Sequence, residues 1–362
     1  MISGGGTGGH IFPAIAIANA VKELRPDAEF LFVGAEGKME MTKVPEAGYP
    51  IEALPIRGFQ RHAFPWRNIG LPFRVLRSLW KARRLVRRFQ PHVAVGVGGY
   101  ASGPTLAAAQ RAGVPTLVQE QNSFPGATNR MLAKRADRIC VAYEGMDRWF
   151  PREKVLLTGN PVRQEVVRLA GKGPRGLEHF GLREDAPVVL VTGGSLGARG
   201  INRGIKAALP ALKAAGAQVI WQTGTVFQQE AAKAVQELGF SDCHVHPFLA
   251  RMDLAYAVAD LVVARAGAIS VSELCLVQRP AILVPLPTAA EDHQTRNARA
   301  LSDRGAAKLV QDANTEQELG PAILGLLGDE QERDRMSAAM AAIGVQNAAE
   351  AIASEVVRLA RA

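Results

Sequence analysis

The chain of 362 residues is 48% hydrophobic and 21% charged, the composition of a globular protein large enough for two cored domains. Cys140, Cys243 and Cys275 are odd in number and far apart, which excludes a disulfide framework and a zinc pattern and predicts reduced thiols of the cytosol. There is no signal peptide and no run of 18 apolar residues to span a bilayer, and the net charge of +9 sits in the first half, where residues 1–163 hold 23 Lys/Arg against 12 Asp/Glu. In chain order, the first half predicts short strands at 30–33, 93–97, 116–118 and 139–141. Helical patterns lie at 13–24, 73–89, 104–111 and 129–135. Only Met1, Ile2 and Ser3 precede the first glycine loop, so the first strand is either very short or trimmed, at some cost in stability. A run at 155–157 leads into Thr158-Gly159-Asn160-Pro161-Val162-Arg163, read as the inter-domain connection. The second half restarts at 188–191 and continues with strands at 218–221, 261–263 and 281–284. Its helices lie near 201–214, 226–238, 270–276 and 294–300, and a final amphipathic helix near 348–360 is expected to return to the first domain. Alternating strands and helices predict an α/β protein of two doubly wound parallel sheets. The domains are 1–160, joined by about 345–362, and 161–344.

Two glycine-rich loops stand out, each placed to open a helix: GGGTGGH at 4–10 and GGSLGAR at 193–199. Glycine lets backbone approach an anion closely, and a helix N-terminus supplies N–H donors and partial positive charge. A third such loop, GVGGYASGP, covers 96–104. Three such loops suit a pyrophosphate donor and a phosphorylated acceptor held in a cleft between two domains. A tight strand-to-helix turn with no ligand is the plain alternative for any one of them. Gly4-x-Gly6-x-x-Gly9 also fits a dinucleotide fingerprint, with Glu36 near the ribose-binding position. The second loop and His10 argue against that rival, which would bind NAD in preference to UDP. In the second half, RAGAISVSE at 265–273 follows a strand and opens a helix, and EDHQTRN at 291–297 is a polar helix start. Glu273 can accept from a diol such as ribose, and Gln294 can pair with sugar hydroxyls. The alternatives are a solvated helix carboxylate and a capping amide.

Taken together, GGGTGGHIFPAIAIA, GVGGYASGP, EQNSFPGATNRMLAKRA, GNPVR, GGSLGAR, RAGAISVSE and EDHQTRNA occur in the order and spacing of one family. Over essentially its whole length the chain resembles the MurG family of peptidoglycan N-acetylglucosaminyltransferases, in glycosyltransferase family 28. The resemblance implies a GT-B fold, two Rossmann-like domains facing across a cleft. It implies transfer of N-acetylglucosamine (GlcNAc) from UDP-GlcNAc to the C4 hydroxyl of the muramoyl sugar of lipid I. The product is lipid II with inversion, a β-1,4 linkage, and no metal or other cofactor is needed. A UDP-GlcNAc 2-epimerase or a glycolipid synthase of the same fold is the nearest alternative.

By the same resemblance, Thr7, Gly8, Gly9 and Asn122 contact the donor from the first domain. Arg163 and Ser195 meet the nucleotide or its diphosphate, and the backbone at Leu249 meets the uracil. Ala268, Ile269, Ser270, Val271, Ser272 and Glu273 bind nucleotide and ribose, and Gln294 binds the GlcNAc hydroxyls. His10 is the candidate general base. Tyr100 and Glu120 are catalytic candidates in acceptor-side motifs, with roles left open. A base near neutral pKa suits deprotonation of the attacking hydroxyl, and the positive helix end would keep the imidazole neutral. Arg163 and helix N–H groups would stabilise the departing UDP. No Asp-x-Asp pair occurs in the sequence, which fits metal-free transfer.

No acidic residue lies between Glu52 and Glu120, a stretch with eleven Lys/Arg. Within it Phe59, Phe64, Trp66 and Arg67 fall in a basic-aromatic loop, and Phe73, Arg77, Trp80 and Lys81 in the helix that follows. This pattern predicts peripheral, salt-sensitive binding to an anionic membrane, at the cytoplasmic face where lipid I is anchored. The plain reading is a helix that packs its apolar stripe on the sheet and turns its arginines to water, and both hold at once if the helix packs while the loop at 59–69 inserts. Other cell-wall and division proteins are further expected partners. No helix-turn-helix, zinc-finger or RNA-binding signature supports a specific nucleic-acid partner.

Overall fold

The structure, a computed structural model, describes residues 1–56, 71–194 and 196–361. The chain divides into two units, Met1–Val162 with Val345–Ala362, and Arg163–Gly344. In the first, seven strands run in chain order: β1 (Ile2–Ser3), β2 (Phe32–Ala35), β3 (Ile51–Leu54), β4 (Ala94–Gly96), β5 (Thr116–Glu120), β6 (Arg138–Val141) and β7 (Val155–Leu157). Their order across the sheet is β3-β2-β1-β4-β5-β6-β7, and every pairing is parallel. Its inner strands β2, β1, β4 and β5 are buried on both faces, so they carry short apolar runs without alternation.

β1 has two residues, yet it is central. Ile2 pairs with Phe32 on one side and Val95 on the other, and the Met1 nitrogen continues the ladder to the Val93 carbonyl at 3.0 Å. The helix Gly8–Leu24 buries Ile11, Ala14, Ile17 and Val21 in the same core as Ile352, Ala353, Val356 and Leu359 of the C-terminal helix Ala348–Arg361. The last helix is thus part of the first unit.

The second unit holds β8 (Val188–Thr192), β9 (Gln218–Gln222), β10 (Cys243–His246), β11 (Leu261–Ala264), β12 (Ala281–Leu283) and β13 (Ala307–Leu309). Their order is β10-β9-β8-β11-β12-β13, again all parallel. Both sheets reverse direction of growth beside their first strand, between β1 and β4 and between β8 and β11. In open parallel sheets, ligands bind at the carboxyl ends of the strands at that switch point. Three of the glycine-bearing loops follow β1, β4 and β8, and the Arg265–Gly267 turn follows β11.

All three cysteines are buried, and burial pushes each thiol up to about 12, so none acts as a thiolate. Among the described residues no helix is long and apolar enough to cross a membrane.

Candidate functional site

At the first switch point the glycine loops after β1 and β4 touch. Gly99 has φ +83°, and a side chain there would meet the carbonyl of Gly5. The hydroxyl of Ser102 lies 2.7 Å from the Ser3 carbonyl and 2.8 Å from that of Gly98, tying the β4 loop to β1. The first loop is held from its other side by Glu40, a buried carboxylate that accepts from Gly6 N at 2.9 Å and Ala35 N at 3.0 Å. No sequence pattern marks this role, because Glu40 lies far from the loop along the chain. Glu36, the ribose candidate of the dinucleotide alternative, lines a different cavity beside Glu52, Arg77, Trp80 and Lys81.

The helix after the first loop begins at Gly8, so Gly8, Gly9 and His10 form its first turn, with Thr7 at the N-cap in extended backbone. The His10 N–H returns to the Thr7 carbonyl at 3.1 Å, and a helix end of this kind has first-turn N–H groups suited to an anion. His10 is half-buried, and its Nδ1 lies 3.0 Å from Oε1 of Gln121. Gln121 belongs to a buried amide chain. Its Nε2 donates to the Val97 carbonyl at 2.7 Å and to the side-chain oxygen of Gln119. Gln119 Nε2 donates to Asn160 Oδ1 at 3.1 Å, and Asn160 Nδ2 to the Gln121 carbonyl at 3.0 Å.

Glu120 is buried and accepts four hydrogen bonds, from Asn122 N (2.9 Å), Asn122 Nδ2 (3.2 Å), Gly126 N (3.0 Å) and Asn129 Nδ2 (2.9 Å). It anchors the turn that carries Asn122. Tyr100 follows the glycine pair of the β4 loop and is about half exposed.

At the second switch point the β8 loop is fastened to β9. Gly197 has φ +74°, and a side chain there would meet the Thr223 carbonyl. Gln222 Nε2 donates to the Gly194 carbonyl at 2.8 Å, while its Oε1 accepts from Leu249 N at 3.2 Å. Leu249 therefore spends its N–H inside the protein. Ser195 lies outside the described residues.

The Arg265–Gly267 turn is braced by Arg265, which donates to the carbonyls of Val284 and Pro285 and pairs with Asp312 at 2.5 Å. The helix Ala268–Val277 then starts with Gly267 at its N-cap, without a side-chain cap. The side chains of Ala268 and Val271 are buried. Ile269, Ser270 and Ser272 are partly exposed. Glu273 is 7% exposed and accepts from the Tyr256 hydroxyl at 3.2 Å. Burial pushes its carboxyl up to about 7, against the pull of Arg163 and the Tyr256 bond. It is not the solvated helix carboxylate of the plain alternative.

Gln294 accepts from Leu286 N at 3.0 Å, which fixes the loop after β12. The helix that carries it, His293–Ser302, is entered through Glu291 and Asp292, both at φ +55°. Two consecutive non-glycine residues in the left-handed region cost about 1–2 kcal/mol each. Gly194, Arg199, Arg203, Ser270 and Gln294 line one cavity of about 670 Å³ in this unit. Arg199 and Arg203 stand one helical turn apart and add two guanidinium groups that the sequence reading did not single out.

The basic helix of the first unit, Leu71–Phe89, has two apolar stripes. Ala82, Leu85 and Val86 are buried against the sheet, with Ser78 on the same side. Phe73, Leu76 and Trp80 are exposed by 72%, 63% and 67%. Arg77 lies in the exposed stripe and Lys81 beside it. Phe59, Phe64, Trp66 and Arg67 lie outside the described residues. Among the described residues no group of three His, Cys, Asp or Glu could hold a metal ion.

Residues 1–141 match the glycosyltransferase family 28 N-terminal domain, and residues 188–352 its C-terminal domain. A Bacteroides fragilis protein named UDP-N-acetylglucosamine--N-acetylmuramyl-(pentapeptide) pyrophosphoryl-undecaprenol N-acetylglucosamine transferase is 50% identical over 100% of this chain and 95% of its own length. A Porphyromonas gingivalis protein of the same name is 48% identical over 99% and 95%. The crystal structure of Acinetobacter baumannii MurG is similar with a TM-score of 0.80 at 28% identity, over 99% of this chain and 98% of that one. A UDP-GlcNAc 2-epimerase from Neisseria meningitidis, at 14% identity and a TM-score of 0.69, shares the fold alone. The fold class is that of these GT-B proteins, two Rossmann-like parallel-sheet units, and the chain belongs to glycosyltransferase family 28.

Proposed function

We propose that the protein transfers N-acetylglucosamine from UDP-GlcNAc to the C4 hydroxyl of the N-acetylmuramoyl sugar of lipid I, giving lipid II and UDP. The observation that carries this reading is the 50% identity, over the whole chain, to relatives named for that transfer.

The chemistry is one in-line displacement with inversion at the anomeric carbon. The C4 oxygen attacks as its proton leaves to His10, and the bond from the anomeric carbon to the UDP oxygen breaks. Charge then develops on the diphosphate, where Arg163 and the N–H groups opening the helices at Arg199 and Ala268 stabilise it. These groups do the work that a divalent cation does in other transferases, so turnover proceeds without metal. Glu273 accepts from the ribose hydroxyls, and Gln294 orients the sugar. Glu120 acts through Asn122, whose turn it holds.

The exposed stripe of the Leu71–Phe89 helix supports the membrane part of the reading. Phe73, Leu76 and Trp80 offer apolar surface beside Arg77 and Lys81, and each basic residue near an anionic leaflet is worth about 1 kcal/mol. The protein then works as a peripheral enzyme on the cytoplasmic leaflet that carries its lipid acceptor.

Incubation with UDP-GlcNAc and a soluble lipid I analogue tests the reaction. The expected product is a β-1,4-linked GlcNAc–MurNAc disaccharide. His10→Ala is expected to lower kcat by about 100-fold or more. An α-linked product would overturn single displacement, and near-normal turnover of His10→Ala would remove His10 as base.

A further inference from the structure

We propose that Gln121 is a positioning residue that fixes the tautomer of His10, with the ring proton on Nδ1 and the basic lone pair on Nε2. The significance of this for catalysis rests on His10 being the general base; the tautomer itself follows from the amide chain.

Two backbone carbonyls fix the two ends of that chain. Backbone carbonyls only accept, so the group facing each must be an NH2. Asn160 faces the Gln121 carbonyl at 3.0 Å, which makes that end Nδ2 and turns its Oδ1 toward Gln119. Gln119 must then present its own NH2 to Asn160 and its oxygen to Gln121. At the other end, the Gln121 amide faces the Val97 carbonyl at 2.7 Å, with the Gln119 carbonyl at 3.4 Å. Three oxygens therefore surround one end of a side chain that is only 1% exposed. The Gln119 carbonyl also accepts from Asn129 Nδ2 at 3.2 Å, but an oxygen of Gln121 placed here would leave the Val97 carbonyl and the Gln119 side-chain oxygen without this hydrogen, a cost of about 1–3 kcal/mol for each group. The NH2 takes that place, and Oε1 turns to His10.

Oε1 has no hydrogen to give, so the contact of 3.0 Å requires a hydrogen on Nδ1 of His10. In the neutral ring the lone pair then falls on Nε2. Free histidine favours the opposite tautomer, so the protein reverses an intrinsic preference. The ring's orientation is supported from a second side. Gly98 has φ +94°, and a side chain there would come within 2.8 Å of Cε1 of His10. The glycine loop after β4 thus leaves room for the imidazole to lie with Nδ1 on the amide chain. Positioning of this kind sets which nitrogen accepts the substrate proton, as the partner of a base does in other general-base sites.

The test reads the tautomer directly. Protein labelled with nitrogen-15 histidine is studied by long-range proton–nitrogen correlation, and the His10 signals are identified by their loss in His10→Asn. Above the ring's titration the expected pattern is a protonated Nδ1 and an unprotonated Nε2. A protonated Nε2, or two averaged nitrogens, overturns the proposal. Gln121→Met should shift the His10 nitrogens toward the averaged or reversed pattern. It should also lower kcat roughly tenfold while leaving KM for UDP-GlcNAc within about twofold. An unchanged tautomer in that variant overturns the role of Gln121. If the variant does not fold, the wild-type spectrum decides alone. A correct tautomer together with full turnover of His10→Asn would sink the general-base reading and leave the tautomer standing.

Discussion

Glu273 sits in apolar surroundings with one phenol and the charge of Arg163 as compensation, and burial holds its carboxyl near 7. The sign of the pH effect follows. The folded protein keeps this carboxyl neutral up to about 7, whereas the unfolded chain ionises it from the ordinary value of 4.5. The unfolded state therefore binds fewer protons between those values, and stability falls as pH rises from about 4.5 to about 7, then levels off. Glu273→Gln should raise stability at pH 8 by about 2 kcal/mol, leave it nearly unchanged at pH 4, and weaken UDP binding. Thermal unfolding at both pH values, with calorimetry of UDP, checks this. A destabilised variant at pH 8 would show that ionised Glu273 holds the fold together. The residue scale is also where the sequence was least informative. Glycine spacing marked the loops, because a backbone that must pass close to another leaves no choice of residue. It could not show that Glu40 rather than Glu36 faces the first loop, since that depends on how the chain returns from β2. Nor could it show that Gln119, Gln121 and Asn160 form one amide chain.

Among the elements, the Leu71–Phe89 helix both packs and leaves an apolar stripe exposed, where the sequence pattern assigns packing to the helix and insertion to the loop at 59–69. Its Ala82, Leu85 and Val86 stripe packs on the sheet, and its Phe73, Leu76 and Trp80 stripe does not. The paired change Phe73→Ser and Trp80→Ser should lower binding to anionic vesicles by about tenfold. Because both side chains are exposed, unfolding should shift by less than about 1 kcal/mol. Flotation at low and high salt, set beside neutral vesicles, checks it; equal flotation with neutral and anionic vesicles would count against the charged surface. The well-patterned elements were legible for a physical reason. β8 and β11 are buried runs of Val and Leu, β5 and β9 are buried around Leu117-Val118 and Val219-Ile220-Trp221, and the Arg199–Ala214 helix is strongly amphipathic. β10 and β13 lie at sheet edges, are four and three residues long, and carry His244 and Lys308, so no apolar run announces them. The helices Thr315–Gly328 and Glu330–Ile343 also went unread. The first contains Pro321, and its Gly320 lets it approach Ala208 closely, so a residue that reads as a helix breaker serves packing.

Across the whole molecule, one device is used twice: a parallel sheet reverses its growth beside its first strand, and a glycine loop there opens a helix. That repetition was visible in the sequence as two loops about 190 residues apart. The uneven charge was visible too, and the basic excess belongs to the unit with the exposed aromatic stripe. The central claim is that helix ends and arginines stabilise the departing UDP in an acceptor-dependent transfer that needs no metal. The most direct measurement is UDP release from UDP-GlcNAc in excess EDTA, with and without a soluble lipid I analogue. Release only when the analogue is present is the predicted result. Release without acceptor, or release that appears only when a divalent cation is restored, would contradict it.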